Sequence, residues 1–164
     1  MSGPVNQAKA AGPGDVAALA ALMMDFYAEA SFLLPKESAE RTFTSLLSTP
    51  EAGQVWLLES DGRPAGFVVL TVAFSMEFGG LRGFVDDLFV SQSFRRRGLA
   101  ALALATLRAE AVRRGVRALL VETGPDNAEA LSVYGRAGFK DTGHVLMSLA
   151  LEAPVHVTRQ GDEA

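Results

Sequence analysis

Two adjacent carboxylates interrupt an apolar stretch near the middle of the chain, where Asp86 and Asp87 stand within the run Phe84–Val90. Neighbouring side chains of a strand point to opposite faces, so the two acids cannot share one solvated face of a central strand. Burying a carboxylate is costly unless another group compensates its charge. Two interpretations stay open. In the first, the strand is exposed or bulged, or an arginine such as Arg82 pairs with one acid. In the second, one acid faces a cleft and holds or deprotonates a cationic amine.

An arginine-rich loop follows that stretch, with the sequence Arg95-Arg96-Arg97-Gly98-Leu99-Ala100. The first N–H groups of a helix are unpaired and lie at its positive dipole end, which suits a phosphate or pyrophosphate. The loop lacks the Lys-Ser/Thr pair of a P-loop and the three spaced glycines of a dinucleotide fingerprint. A solvated basic loop before a helix is the alternative interpretation.

A third group of residues, Asn127 and Tyr134, precedes the pair Gly138-Phe139. Seven residues make about two turns of helix, so both side chains lie on one face. Taken alone, Asn127 is typical of a helix cap and Tyr134 of a core aromatic residue. A phenol can also act as an acid, because its proton can pass to a departing thiolate.

Composition narrows the possible functions. The chain has 164 residues, 49% of them hydrophobic, which predicts one domain over residues 1–164 with a real core. It has no cysteine, which excludes disulfides and thiol chemistry and fits a cytoplasmic protein. The two histidines, His144 and His156, show no metal-ligand spacing. A net charge of −4 argues against nucleic-acid binding, and the apolar stretches and N-terminus predict neither a membrane span nor a signal peptide.

Periodicity and turn residues predict the elements that must position these groups. A strand at Val5–Ala10 precedes two helices over residues 15–30, capped by Asp15, and 37–48. An antiparallel meander with a tight turn at Asp61-Gly62 then follows. Its strands are Gln54–Ser60, Arg63–Phe74 and Gly83–Val90.

The second half of the chain predicts a βαβ unit from Gly83 to Thr123. Its helix covers Gly98–Arg114 and its second strand, Arg117–Thr123, has the continuous apolar run of a buried strand. Such units bind ligands at the carboxyl ends of their strands. A helix beginning near Asp126 or Asn127, two last strands and a frayed polar tail complete the prediction. The strands are Phe139–Asp141 and Val145–Leu151, and the tail is 153–164.

These motifs together resemble the GNAT superfamily of acyl-CoA-dependent N-acyltransferases. The family motif of Gln or Arg, two variable residues, Gly, a variable residue and Gly or Ala matches Arg95–Ala100. The later Asn, Tyr and Gly-Phe of the family match Asn127, Tyr134 and Gly138-Phe139. The resemblance covers residues 5–151 and implies a mixed α+β fold. Its largely antiparallel twisted sheet would have about six to seven strands, splayed between two middle strands and flanked by about four helices.

The resemblance also implies acetyl-CoA as cosubstrate, with no metal. The pantetheine arm would lie in the splay and hydrogen-bond the backbone of Leu88–Val90, and the pyrophosphate would rest on the loop. Asn127 would contact the cofactor arm, and Tyr134 would protonate the leaving thiolate. The cofactor-binding residues implied are Leu88, Phe89, Val90, Arg95, Arg96, Arg97, Gly98, Leu99, Ala100, Asn127 and Tyr134.

For the acceptor side, the resemblance implies a general base on the strand before the loop, which maps onto Asp86 or Asp87, with a bridging water because Asp is short. This Asp-Asp-Leu-Phe-Val strand is similar to that of polyamine acetyltransferases. Acceptor-binding side chains would come from an aromatic and acidic set. Its members are Tyr27, Phe32, Glu77, Asp86 and Glu122.

The expected function is therefore transfer of acetyl from acetyl-CoA to a primary amine by direct attack, with a small cationic amine as partner and a homodimer as a possible assembly. Three alternatives remain open at this stage. They are acetylation of a protein N-terminus or lysine, a non-catalytic acyl-CoA sensor, and nucleotide binding by the arginine-rich loop.

Overall fold

The computed structural model describes residues 3–158, which form a central sheet with helices on both faces. The sheet has five strands in the order β1-β3-β4-β5-β6, and a second sheet pairs β2 with β7. The strands are β1 Asn6–Ala10, β2 Phe32–Leu33, β3 Gly53–Ser60, β4 Arg63–Ser75, β5 Gly80–Val90, β6 Ala118–Val121 and β7 Val157–Thr158. The helices are α1 Val16–Glu29, α2 Lys36–Leu47, α3 Leu99–Arg113 and α4 Ala128–Arg136.

The mixed α+β architecture and the meander are confirmed. Strands β1, β3, β4 and β5 pair antiparallel, and β6 pairs parallel with β5 after the α3 crossover. Asp61 and Gly62 both take positive φ, at 52° and 72°, as a tight hairpin turn requires. The five strands of the main sheet are fewer than the six or seven expected, and the difference lies at the C-terminal end of the chain.

Two apolar clusters hold the layers together, one on each face of the sheet. Helices α1 and α2 cover one face, where Leu19 and Phe43 pack on Phe67 and Phe89. Helix α3 covers the other face through three buried leucines, Leu99, Leu104 and Leu107. The two acids of β5 therefore lie on a strand that is packed on both sides, although the side chain of Asp86 is itself exposed and that of Asp87 is partly buried.

Three expectations for the C-terminal half are wrong. The residues 139–141 and 145–151 form no strand, because nothing in the described part of the chain pairs with them. Strand β6 is half-buried rather than buried, because among residues 3–158 β5 is the one strand beside it. Within the predicted frayed tail, Val157 and Thr158 pair with β2, and residues 159–164 lie outside the described residues. Among the helices described, none is both long and apolar enough to cross a bilayer.

Candidate functional site

A β-bulge explains how β5 carries two adjacent acids. Val69 pairs with Asp87 and Leu70 with Val85, so Asp86 is the extra residue with no partner on β4. A bulge re-aims side chains and locally breaks the strict alternation of faces. Within residues 3–158 neither acid belongs to an ion pair, so pairing with Arg82 is not how the charges are compensated.

The environment of the bulge raises the pKa of both carboxyls. Burial, followed by the charge of Asp86, raises the pKa of Asp87 from 3.8 to about 7. Asp86 is more exposed, and burial raises its pKa as well. A carboxyl with a pKa near neutrality exchanges its proton readily at physiological pH, which is the property that a general base requires.

Both tyrosines of the chain lie in the electrostatic field of these acids. Burial raises the pKa of Tyr27 to about 12, with further increases from the charges of Asp87 and Asp86. Burial, and then the charge of Asp87, raises the pKa of Tyr134. Tyr27 approaches from α1 and Tyr134 from α4, so the two phenols flank Asp87 from different helices. Each phenol stays protonated at neutral pH and is available as a hydrogen-bond donor.

A gap opens between β5 and β6 directly beyond the bulge. The parallel pairing ends where Val85 meets Val121, although β5 continues to Val90. The N–H of Ser91 donates to Ala65 O on β4 at 2.8 Å. Backbone groups of alternate residues face the same edge of a strand, so Leu88 and Val90 direct their N–H and C=O groups away from β4 and into the gap. This is the divergence expected between the two middle strands.

Arg95 ties the loop to the rest of the site. Its Nε donates to Val90 O at 2.9 Å, and its Nη2 lies 2.5 Å from Glu29 Oε2 on α1. Its guanidinium also lies over the ring of Phe89, 5.9 Å from the centroid. That ring is 4% exposed and belongs to the core, so Phe89 offers no side chain to the gap. Arg95 therefore holds the loop in place, and its guanidinium is already engaged within the molecule.

The loop presents unpaired backbone amides at the start of α3. Arg96 and Gly98 both take positive φ, at 61° and 82°, and Gly98 is the residue that caps the helix. Leu102 N–H makes the first bond of the helix, to Gly98 O, and in the described chain the amides of residues 96–101 make none. Arg96 and Arg97 are exposed, whereas Leu99 is buried. The first turn of α3, including Ala100, thus presents a run of unpaired N–H groups at the positive end of the helix dipole, an arrangement that suits an anion.

Asn127 occupies the N-terminus of α4. Its Oδ1 accepts a hydrogen bond from Ala130 N–H at 3.1 Å, which confirms the helix-cap interpretation. The amide group of the same side chain makes no hydrogen bond within residues 3–158. Tyr134 lies farther along α4, and its ring meets Phe139 edge-on at 5.6 Å. The helix cap thus leaves one face of Asn127 available for another contact.

The expected acceptor residues divide into two groups. Tyr27 lies close enough to the acids for their charges to act on it, and Glu122 directly follows Val121, the residue opposite the start of the bulge. Glu77 lies in the β4–β5 turn, before the start of β5. The rise per residue of β5 places this turn roughly 20 Å from Asp86. The structure therefore places Glu77 away from the acid pair.

His156 is a neighbour of the site that sequence reasoning missed. Its ring lies 4.3 Å from the ring of Phe32 and 5.1 Å from that of Tyr27, measured between centroids. The pairing of β7 with β2 brings it there. No local pattern could have indicated this placement, because the segment carrying His156 has the composition of a polar tail.

Comparisons with known proteins agree with this geometry. The family model "Acetyltransferase (GNAT) family" matches residues 18–139. An uncharacterized N-acetyltransferase of Bacillus subtilis, YhfO, is 29% identical over 150 residues, covering 91% of this chain and 98% of that protein.

Two solved structures are similar over nearly the whole chain. The integron cassette protein HFX_CASS3, from the mobile metagenome of Cole Harbour Salt Marsh, is 47% identical with a TM-score of 0.84, over 91% of this chain and 93% of that one. The aminoglycoside N-acetyltransferase AAC(6')-Iy, in complex with CoA, has a TM-score of 0.79 and 18% identity, over 92% of this chain and 97% of that one. At that identity the second likeness concerns the fold alone.

Proposed function

The chain belongs to the GNAT acetyltransferase family, and on that premise we propose that it transfers the acetyl group of acetyl-CoA to the amine of a small cationic molecule. The observation that carries the proposal is the bulged acid pair, with a carboxyl of pKa about 7 flanked by two protonated phenols. A non-catalytic acyl-CoA sensor, the alternative, would not require a general base and a proton donor at this position.

The groups around the β5–β6 gap fit acetyl-CoA. Leu88 offers a backbone donor and acceptor, and Val90 a backbone donor, to an amide-bearing pantetheine arm. The open amides of residues 96–101 offer donors to a pyrophosphate. The amide of Asn127 can reach the same arm from α4. When bound, acetyl-CoA supplies the thioester carbonyl, and the N–H of Leu88 is the donor available to polarise it.

Asp87 is the proposed general base. An amine must be neutral to attack, and a typical primary amine is protonated at pH 7. Asp87 exchanges its proton near that pH and lies on the strand that borders the gap, so it can accept the proton directly or through a water. Asp86, the more exposed acid, attracts the cationic acceptor.

Tyr134 is the proposed general acid. Its raised pKa keeps the phenol protonated, and its hydroxyl forms no hydrogen bond in the described part of the chain. Its ring is fixed by Phe139, so the proton can be directed at the departing sulfur without prior rearrangement. Asn127 and Tyr134 then act from one helix, as their seven-residue spacing allows.

A panel of amines tests the acceptor class. Acetylation of spermidine, an aminoglycoside, an amino acid and a lysine peptide is followed by release of the CoA thiol. We expect the polycationic amines to give the highest kcat/KM. Asp86→Asn should raise their KM about tenfold, which is a change of about 1.4 kcal/mol. Glu77→Gln is the matched control, because this exposed acid lies apart from the site, and its KM should equal that of the wild type. Preference for the peptide would overturn the small-molecule assignment.

A pair of substitutions at Gly98 tests the anion cradle. Asn and Asp have similar shape and both visit the positive-φ region that Gly98 occupies, so the two variants carry comparable backbone strain. Gly98→Asp adds a negative charge beside the proposed pyrophosphate site and should weaken acetyl-CoA binding at least about tenfold relative to Gly98→Asn. Calorimetric titration of both variants gives the comparison, and equal dissociation constants would mean that the anion lies elsewhere.

A further inference from the structure

The last described residues of the chain lie across the connection between α1 and α2. Residues 155–158 form this C-terminal strap. Its strand β7 pairs antiparallel with β2, which follows α1, and Val155 lines a groove beside α2 together with Thr42 and Leu46. Contacts with two different elements therefore hold the strap on the side of the molecule that carries the proposed acceptor residues of α1 and β2.

The strap places the imidazole of His156 against two aromatic rings. Its centroid lies 4.3 Å from that of Phe32 and 5.1 Å from that of Tyr27, at interplanar angles of 60° and 48°. All three side chains are half-buried, and Phe32 belongs to neither core cluster. Among residues 3–158 the imidazole nitrogens form no hydrogen bond. Core packing therefore does not account for the contact between Phe32 and His156.

Tyr27 connects these rings with the acid pair. The charges of Asp87 and Asp86 act on its phenol, and its ring meets that of His156. Neither acid has a cationic partner among the ion pairs of the described residues. Aromatic faces attract cations, and a neutral imidazole has one nitrogen that accepts a hydrogen bond. Acids without cationic partners, partly exposed rings and an imidazole thus together suit an ammonium group.

We propose that the C-terminal strap is part of the acceptor site, and that His156 selects the acceptor by holding a second ammonium group together with the rings of Tyr27 and Phe32. The inference rests on the acetyl transfer proposed above. The amine that attacks lies at Asp87, and the second cation lies toward the strap. The acceptor is therefore a diamine or a longer polyamine, and His156 distinguishes it from a monoamine.

Paired amines test this selectivity. The probes are linear diamines with three to five methylene groups, each compared at pH 8 with the monoamine in which a methyl group replaces the second ammonium. His156→Leu should lower kcat/KM for the diamines about tenfold and leave kcat/KM for the monoamines and the dissociation constant of acetyl-CoA unchanged. His156→Gln keeps a hydrogen-bond acceptor and should restore part of the selectivity.

The other histidine of the chain provides the matched control. His144 is exposed, and His144→Leu should have the wild-type kcat/KM for both kinds of amine. An equal loss for diamines and monoamines in His156→Leu, or no loss for either, would overturn the inference.

A measurement that needs no turnover separates this inference from the proposed function. The chain has two histidines, so their imidazole proton NMR signals are assigned with the His144→Leu variant. In the wild type with CoA added, a diamine should shift the His156 signals saturably and leave those of His144 in place. Thiol release without a shift at His156 would overturn the inference and leave the acetyl transfer intact. A shift at His156 with no thiol release for any amine would support the cation site and overturn the acetyl transfer, and neither response would overturn both.

Discussion

Replacing Asp87 with asparagine is expected to lower kcat/KM for the amine by about 10²- to 10⁴-fold, the range typical of general-base removal. The variant keeps the size of the side chain and its place in the bulge. The loss of kcat/KM therefore measures the contribution of Asp87 as proton acceptor. In the wild type kcat/KM should rise with pH through about 7, as Asp87 loses its proton. In Asp87→Asn this rising limb of the pH profile should disappear. The remaining pH dependence of kcat/KM should then come from ionisation of the amine itself.

The same substitution should make the protein more stable at high pH. The folded-state pKa of Asp87 is raised from 3.8 to about 7, so between these values the folded protein binds a proton that the unfolded chain has lost. Stability therefore falls as pH rises through this window, and the full penalty applies above pH 7. Asp87→Asn removes the charge, and at pH 8 its Tm should exceed that of the wild type by a few degrees.

The neighbouring acid provides the control for the kinetic effect. Asp86→Asn carries the same chemical change one residue away, at a more exposed position, and should keep most of kcat. The rise of kcat/KM with pH should remain but move to lower pH, because the charge of Asp86 no longer raises the pKa of Asp87. If Asp86→Asn abolishes the limb and Asp87→Asn retains it, the roles of the two acids are reversed. If both variants keep the limb, neither is the base.

Replacing Tyr134 with phenylalanine is the second large expected effect. We expect kcat to fall by about 10²-fold or more. The ring would still pack edge-on against Phe139, and the hydroxyl has no hydrogen-bond partner to lose within residues 3–158. Affinity for acetyl-CoA and Tm should therefore change little. Steady-state kinetics combined with calorimetry separates the loss of turnover from any loss of binding.

Tyr27 is the matched control, because it is the other tyrosine of the chain and also lies near Asp87. Tyr27→Phe should affect the amine KM more than kcat, since Tyr27 lies on the proposed acceptor side. Unchanged turnover in Tyr134→Phe would show that another group protonates the leaving thiolate.

Local patterns predicted most of the fold. The Asp61-Gly62 turn, the apolar stripe of α1 and the glycine that follows α3 each encode their structure within a few residues, so the sequence alone indicates them. The motif around Gly98 likewise places a helix start where the structure has one. These features depend on backbone preferences rather than on distant partners.

Features that depend on distant partners were harder to predict. The alternation of residues 145–151 predicts a strand, but a strand needs an edge to pair with, and no described strand pairs with these residues. The bulge at Asp86 depends on the register with β4, and the engagement of Arg95 depends on Glu29, which is 66 residues away. The contact of His156 with Phe32 arises in the same way.

The most direct test of the proposed activity is a calorimetric titration with acetyl-CoA, followed in the same sample by thiol release on addition of a polycationic amine. The account predicts saturable binding at one site per chain and thiol release that depends on both the amine and Asp87. Absence of binding, or binding with no release for any amine of the panel, would contradict the assignment of this site as an acetyltransferase centre.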